Sequence, residues 1–334
     1  MPSAVSRLPA ALFFAAGLTN PAHSAEFFSQ LELGAAVLVG EESQFFAERG
    51  ESTPFKRIRD LNVDNGVSGG FALSGVYGAM LRPMEHANGG ISLSVQGRFT
   101  ATQSNSDDAF LDSGPGERYG WAGLDNGGGW GTSDGHTLFT DVERDFFYSG
   151  AAILLSIHQV VGTESSFVFG VGPSARRLSE ERNHHGLISS TAVTQVMQSD
   201  ELRTDYWGGI VSAQFQRALR PDLSASLKGE FGVFQSATKF TADQNIWTNS
   251  GPESEISASL KTNKAAMSAS LKAALDYQYT DAINLGGFGE VSYLSHAPQV
   301  DYGSVPTDAA GGKLRLVDGD LLGFTVGVRA TMTF

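Results

Sequence analysis

The sequence predicts an all-β protein: a single transmembrane antiparallel β-barrel of about ten strands, with long external loops and short periplasmic turns. Three observations carry that expectation. Ten segments alternate with a period of two, and helical periodicity is almost absent. Their connections alternate between short and long. The chain also opens on a stretch that reads as an export signal.

That opening stretch, MPSAVSRLPAALFFAAGLTNPAHSA, has one basic residue, Arg7, and an apolar run from Leu8 to Leu18. The breaker pair Asn20-Pro21 follows, then small residues at Ala22, Ser24 and Ala25 suited to cleavage. The run is too short to span a bilayer as a helix, which takes about 20 residues. Pro9, Pro21 and the lack of amphipathic spacing speak against a core helix. The expected plan is a signal peptide over 1–25 and an outer-membrane barrel over 26–334.

Composition narrows the class further. There is no cysteine, hence no disulfide framework and no thiolate metal site. Forty glycines and a net charge of −13 fit neither a nucleic-acid binder nor a disordered chain. Removing residues 1–25, in which only Arg7 is charged, makes the net charge −14.

The alternating segments are 28–39, 67–80, 90–102, 138–156, 163–176, 203–217, 223–238, 264–279, 283–296 and 318–334. SLKAALDYQY is the clearest, with Leu271, Ala273, Leu275, Tyr277 and Tyr279 on one face. Ser270, Lys272, Ala274, Asp276 and Gln278 occupy the other. The stretch 138–156 is the least regular, and FFYSGAAILL within it could pass for a short buried helix. Short connections at 81–89, 157–162, 218–222 and 280–282 alternate with long ones at 40–66, 103–137, 177–202, 239–263 and 297–317. Soluble domains seldom carry one structureless loop of that length. Five on the same side of successive hairpins is the plan of a bacterial outer-membrane barrel, with both termini periplasmic.

The chain ends LLGFTVGVRATMTF. Phe334, Met332, Ala330, Val328, Val326, Phe324 and Leu322 form an apolar row, and small, polar or charged residues form the other. In a membrane barrel the apolar row faces lipid. This end resembles the assembly signal of Gram-negative outer-membrane proteins, although Met332 stands where tyrosine is usual. The resemblance assigns an assembly role to Phe334, Met332, Ala330, Val328 and Val326. It implies periplasmic chaperones, the barrel assembly machinery, and outer-membrane lipid and lipopolysaccharide as partners. More loosely, TDYWGGIVSAQFQRALRPDLSASLKGEFGVF, LDYQYTDAINLGGFGEVSYL and DLLGFTVGVRATMTF resemble the Legionella-type major outer-membrane protein family over residues 140–334. That likeness implies pore formation.

Several motif matches dissolve on inspection. Gly66-Val67-Ser68-Gly69-Gly70 fits G-x-S-x-G but runs on as a strand, where a nucleophile elbow needs a helix. Gly170-Val171-Gly172-Pro173-Ser174-Ala175 mimics a dinucleotide fingerprint without the helix that would bind the anion. His184-His185 could share a metal, but exposed loop histidines are usually solvated. Asp107, Asp108, Asp112, Glu117, Asp125 and Asp134 could collect Ca²⁺ or form a solvated acidic surface; no defined calcium-loop spacing is present. Asp134-Gly135-His136 and Asp318-Gly319-Asp320 resemble, in reversed chain order, the residue pairs of omptin-type outer-membrane proteases. No cofactor, metal site or catalytic residue is expected.

Lumen parity instead collects Glu32, Arg98, Lys228, Glu230, Lys272, Asp276, Glu290 and Arg329. Four acids and four bases in a narrow bore are expected to pair, because isolated charges there are costly. The expected arrangement puts Arg329 between Glu290 and Glu32. The family resemblance implies porin-like passage of small solutes. Barrel size argues for the alternative, a closed structural or adhesive barrel, since about eight strands leave an interior that side chains just fill.

Overall fold

The computed structural model describes residues 26–40, 47–52, 55–61, 66–84, 89–110, 117–121, 124, 137–189, 194–249, 251–302 and 314–334. The expected signal peptide, and the Asp134 and His136 of the protease-like pair, lie outside the described residues, as do Asp112 and Asp125.

Ten strands close into one ring: β1 (Phe27–Val39), β2 (Val67–Met84), β3 (Gly89–Phe110), β4 (Thr137–Val161), β5 (Ser165–Ser189), β6 (Thr194–Arg220), β7 (Leu223–Thr248), β8 (Gly251–Gln278), β9 (Ile283–Leu294) and β10 (Leu321–Thr333). Each strand pairs antiparallel with its sequence neighbours, and β10 closes on β1 with Glu32 opposite Arg329. The two ends of the described chain meet at the seam: the Phe334 N–H donates to the Phe27 carbonyl at 2.8 Å. The stretch 138–156 is strand throughout. Outside the ring, Ala47–Ser52 pairs with Phe55–Leu61 and Glu117–Trp121, and Gln299–Asp301 with Arg315–Val317.

Lipid-facing rows form as expected. Leu31, Leu33, Phe71, Val95, Ile153, Val171, Val211, Leu271, Val326 and Val328 are all exposed on the outer surface. The short turns are tight; Gly162, in the turn after β4, has φ of 69°, a left-handed value that suits glycine.

The upper part of the barrel differs from the expectation. Segments 177–202 and 239–263, read as long connections, are strand: β5 and β6 leave only 190–193 between them, and β7 and β8 only 249–250. Residues 103–110 likewise continue β3. Strands β4 to β8 run 25 to 28 residues, whereas β1, β9 and β10 have 12 or 13. A tilted strand crosses a bilayer in about 9–11 residues, so one side of the ring stands well above the membrane.

The physical reason for the difference is an inversion of the two rows. Low on β7, Leu227, Phe231 and Val233 point out to lipid while Ser226, Lys228 and Glu230 point in. Higher up, Phe240, Ala242 and Ile246 are buried inside, and Lys239 and Asp243 face out to water. The side-chain parity is unbroken, but the apolar row changes faces on leaving the membrane. A continuous alternation therefore resembles a strand followed by a polar loop.

Candidate functional site

The lumen is built in three layers. The lowest is a cavity of about 360 Å³ that begins near the periplasmic turns. Its wall is rich in hydroxyls and amides, including Ser92, Ser166, Gln214, Gln216 and Ser224, with His158 beside Ser92 at 2.7 Å. The alternating inward row supplies this polarity, because lipid has claimed the apolar residues for the outside.

Charged side chains cross the bore above and around the cavity. Lys272 on β8 bonds Glu32 at 2.5 Å and Glu290 at 2.9 Å. Ser74 donates to the same Glu32 oxygen, also at 2.5 Å, and Gln30 donates to the other at 2.7 Å. Arg98 reaches across from β3 to pair with Glu290. Arg329 donates to both carboxylate oxygens of Asp276, its Nε at 2.6 Å, and to Ser226 at 3.0 Å. Arg176 pairs with Glu230 at 2.7 Å and stacks over Phe234. Lys228 donates to Gln96 at 3.3 Å. All eight residues singled out from the sequence face this one cavity.

Two points of the expected arrangement are corrected. The cation between Glu32 and Glu290 is Lys272, not Arg329. Arg329 and Asp276 are both in register with Gly286 of β9, whose missing side chain lets the guanidinium reach over the backbone to β8. Glu290 lies opposite Thr325 instead, four residues from Arg329. The ninth charged member, Arg176, was absent from the expectation because it fell at the end of a segment. Its parity with Val168 and Ser174 on β5 is the signal that could have found it.

Over the charges lies an apolar septum. Leu38, Leu154, Leu178, Tyr206, Ile210, Phe234, Ala266, Leu294 and Leu321 form one buried cluster drawn from eight of the ten strands, joined by Phe146 and Ala152 of β4. The β9–β10 connection enters over the low wall and completes it. Residues 296–302 are buried, Ala297 joins the cluster, and the Tyr206 hydroxyl donates to the His296 carbonyl at 3.0 Å.

The top layer is a solid core within the raised wall. Val300 and Tyr302 pack with Leu202, Phe240, Ala242 and Leu314. Tyr302 donates to Asp200, and Arg144 and Arg182 converge on Glu180. Glu180 stands above the lipid, since its outward neighbours on β5 are Arg177, Ser179 and Glu181. Burial alone would raise the Glu180 pKa, but the two guanidiniums outweigh it and hold the carboxyl down at about 2.

The remaining candidates separate. His184 and His185 sit on β5, so one points inward to Asp200 at 3.6 Å and the other lies beside Gln195 at 3.0 Å. Alternation on a strand keeps them from sharing a metal. Asp318 at the rim accepts from Lys264 at 2.6 Å and from the buried His296 at 2.6 Å.

No family model matches the chain, and no curated protein matches it. Among solved structures, it is similar to the outer-membrane protease OmpT of Escherichia coli at 11% identity, covering 94% of this chain and 99% of that one, with a TM-score of 0.44. It is also similar to a Pseudomonas aeruginosa FadL homologue (10% identity, 92% and 90% covered, TM-score 0.27) and to Ail, the attachment invasion locus protein of Yersinia pestis (10%, 93% and 100%, 0.25). All three are Gram-negative outer-membrane β-barrels; what the present chain shows by itself is one closed antiparallel ring of ten strands with an apolar outer belt.

Proposed function

We propose that the protein is a closed barrel that acts outside the cell through its raised external wall, as a structural or adhesive element, and catalyses no reaction. The observation that carries this reading is the apolar septum, a buried cluster drawn from eight of the ten strands that lies above the polar cavity. Water and ions avoid an apolar constriction unless hydrogen-bond partners replace their hydration. The Asp318–His296 pair fits the same reading, because His296 is only 7% exposed and cannot meet a substrate.

Purified protein in planar bilayers is expected to give a flat current trace. Regular single-channel steps in the unmodified protein would overturn the closed reading in favour of porin-like passage. That second reading draws on the resemblance to pore-forming proteins and on the 360 Å³ cavity, and it requires the septum to move.

An assembly role for the terminal strand belongs to the same proposal. Phe334 ends the apolar row, is 69% exposed toward lipid, and ties the seam through its backbone to Phe27. Deleting it is expected to lower the folded, heat-modifiable protein recovered from outer membranes several-fold, with unfolded chain degraded in the periplasm. An unchanged folded yield would remove the assembly role.

A further inference from the structure

The charges around the cavity do not balance. Its wall holds five bases, Arg98, Arg176, Lys228, Lys272 and Arg329, against four carboxylates. Every carboxylate is engaged by another base: Glu32 by Lys272, Glu230 by Arg176, Asp276 by Arg329, and Glu290 by Arg98 and Lys272. The surplus is therefore Lys228. Among the described residues its side chain has one hydrogen-bond partner, the neutral amide of Gln96. Its neighbour across the ladder on β8 is Lys272, a like charge that raises the cost of leaving it bare. Its neighbour on the other side, on β6, is Gln214, an amide donor.

The nearest opposite charges, Glu230 two residues along the strand and Glu32, are each paired with another base, and a lysine in the lumen wall with no ion pair of its own is costly unless something neutralises it. The empty volume beside it falls within the range of ligand pockets, about 300–1,000 Å³. The surrounding groups are hydroxyls and amides, which donate to oxyanions without adding charge. We propose that the periplasm-facing cavity binds a small oxyanion, of the size of phosphate or a short carboxylic acid, seated on Lys228. This goes beyond the closed-barrel reading and does not depend on it, since the site lies below the septum.

The test uses the full-length folded protein in a zwitterionic detergent at pH 7, with sodium phosphate titrated against sodium chloride at constant ionic strength. A ligand that binds only the folded state raises its apparent melting temperature with concentration. Phosphate is expected to raise the melting temperature of the parent, and to have no effect on Lys228→Met, a substitution of similar length without charge. Equal shifts in parent and variant, or no shift in the parent, would overturn the site. Should Lys228→Met fail to fold, amine labelling of the parent read by mass spectrometry replaces it. Phosphate is expected to protect Lys228 several-fold and to leave Lys239, on the outer surface, unchanged. Unprotected Lys228 would overturn the proposal. Channel steps in a bilayer, by contrast, would count against the closed-barrel reading alone.

Discussion

Glu180→Ala is expected to destabilise the folded barrel by about 3–5 kcal/mol, the range for breaking a buried ion pair on one side. Arg144 and Arg182 are both only 2% exposed and both donate to the Glu180 carboxylate. Removing it leaves two buried cations facing each other without the acid they share. Arg144 also lies 4.1 Å over the Phe146 ring, so its displacement disturbs the septum. Urea unfolding in detergent micelles, followed by the electrophoretic shift of the folded form, measures the loss. Parent-like stability in Glu180→Ala would show the triad to be dispensable.

The same carboxylate has a pH signature with a definite sign. Its folded pKa, about 2, is below the ordinary value of 4.5, so it stabilises the fold above that ordinary value. The contribution is lost progressively as pH falls from 4.5 towards 2, where the carboxyl becomes protonated in both states. Glu180→Gln is expected to flatten this acid limb of the stability curve relative to the parent. An unchanged limb would place the acid sensitivity elsewhere.

Arg329→Ala carries the second large effect and separates two geometries. It leaves Asp276 buried, 7% exposed, without its bidentate partner. A loss approaching 3–5 kcal/mol is expected, reduced by water from the cavity below. Adding Asp276→Asn is expected to recover part of the loss, since the two residues share one interaction. Adding Glu290→Gln is expected to recover none, because Lys272 and Arg98 hold that carboxylate. Rescue by Glu290→Gln alone would restore the arrangement expected from strand parity. Gly286→Leu offers an independent check: a side chain there would collide with Asp276 and block the crossing, so the variant should behave like Arg329→Ala.

Strand parity alone determined much of this molecule. A period of two assigns each residue to one face, and the assignment survives any uncertainty in strand ends. The ten strands, their antiparallel order and the inward position of the eight lumen charges therefore follow from local sequence. The low, membrane-embedded halves were the easiest to see, because lipid demands an apolar outer row there without exception. The upper halves of β5 to β8 were hidden by the same logic. Once Phe240, Ala242 and Ile246 turn inward and Lys239 and Asp243 face water, the stretch reads as a polar loop.

Only the closed ring decided which charges meet. Parity says that Arg329, Glu32, Asp276 and Glu290 share a face, but partner choice depends on register across several strands and on what lies between them. Here a bare glycine, Gly286, opens the path from β10 to β8, and Lys272 takes the place between Glu32 and Glu290. Arg98 meets Glu290 across the bore, from β3 to β9, a contact that exists only because the sheet closes at small radius. The septum has the same origin. Leu38, Leu154, Phe234 and Leu321 are far apart in sequence, and each lies in a different strand with ordinary alternation. Closure brings them to one level of the lumen, where apolar side chains from different strands bury each other.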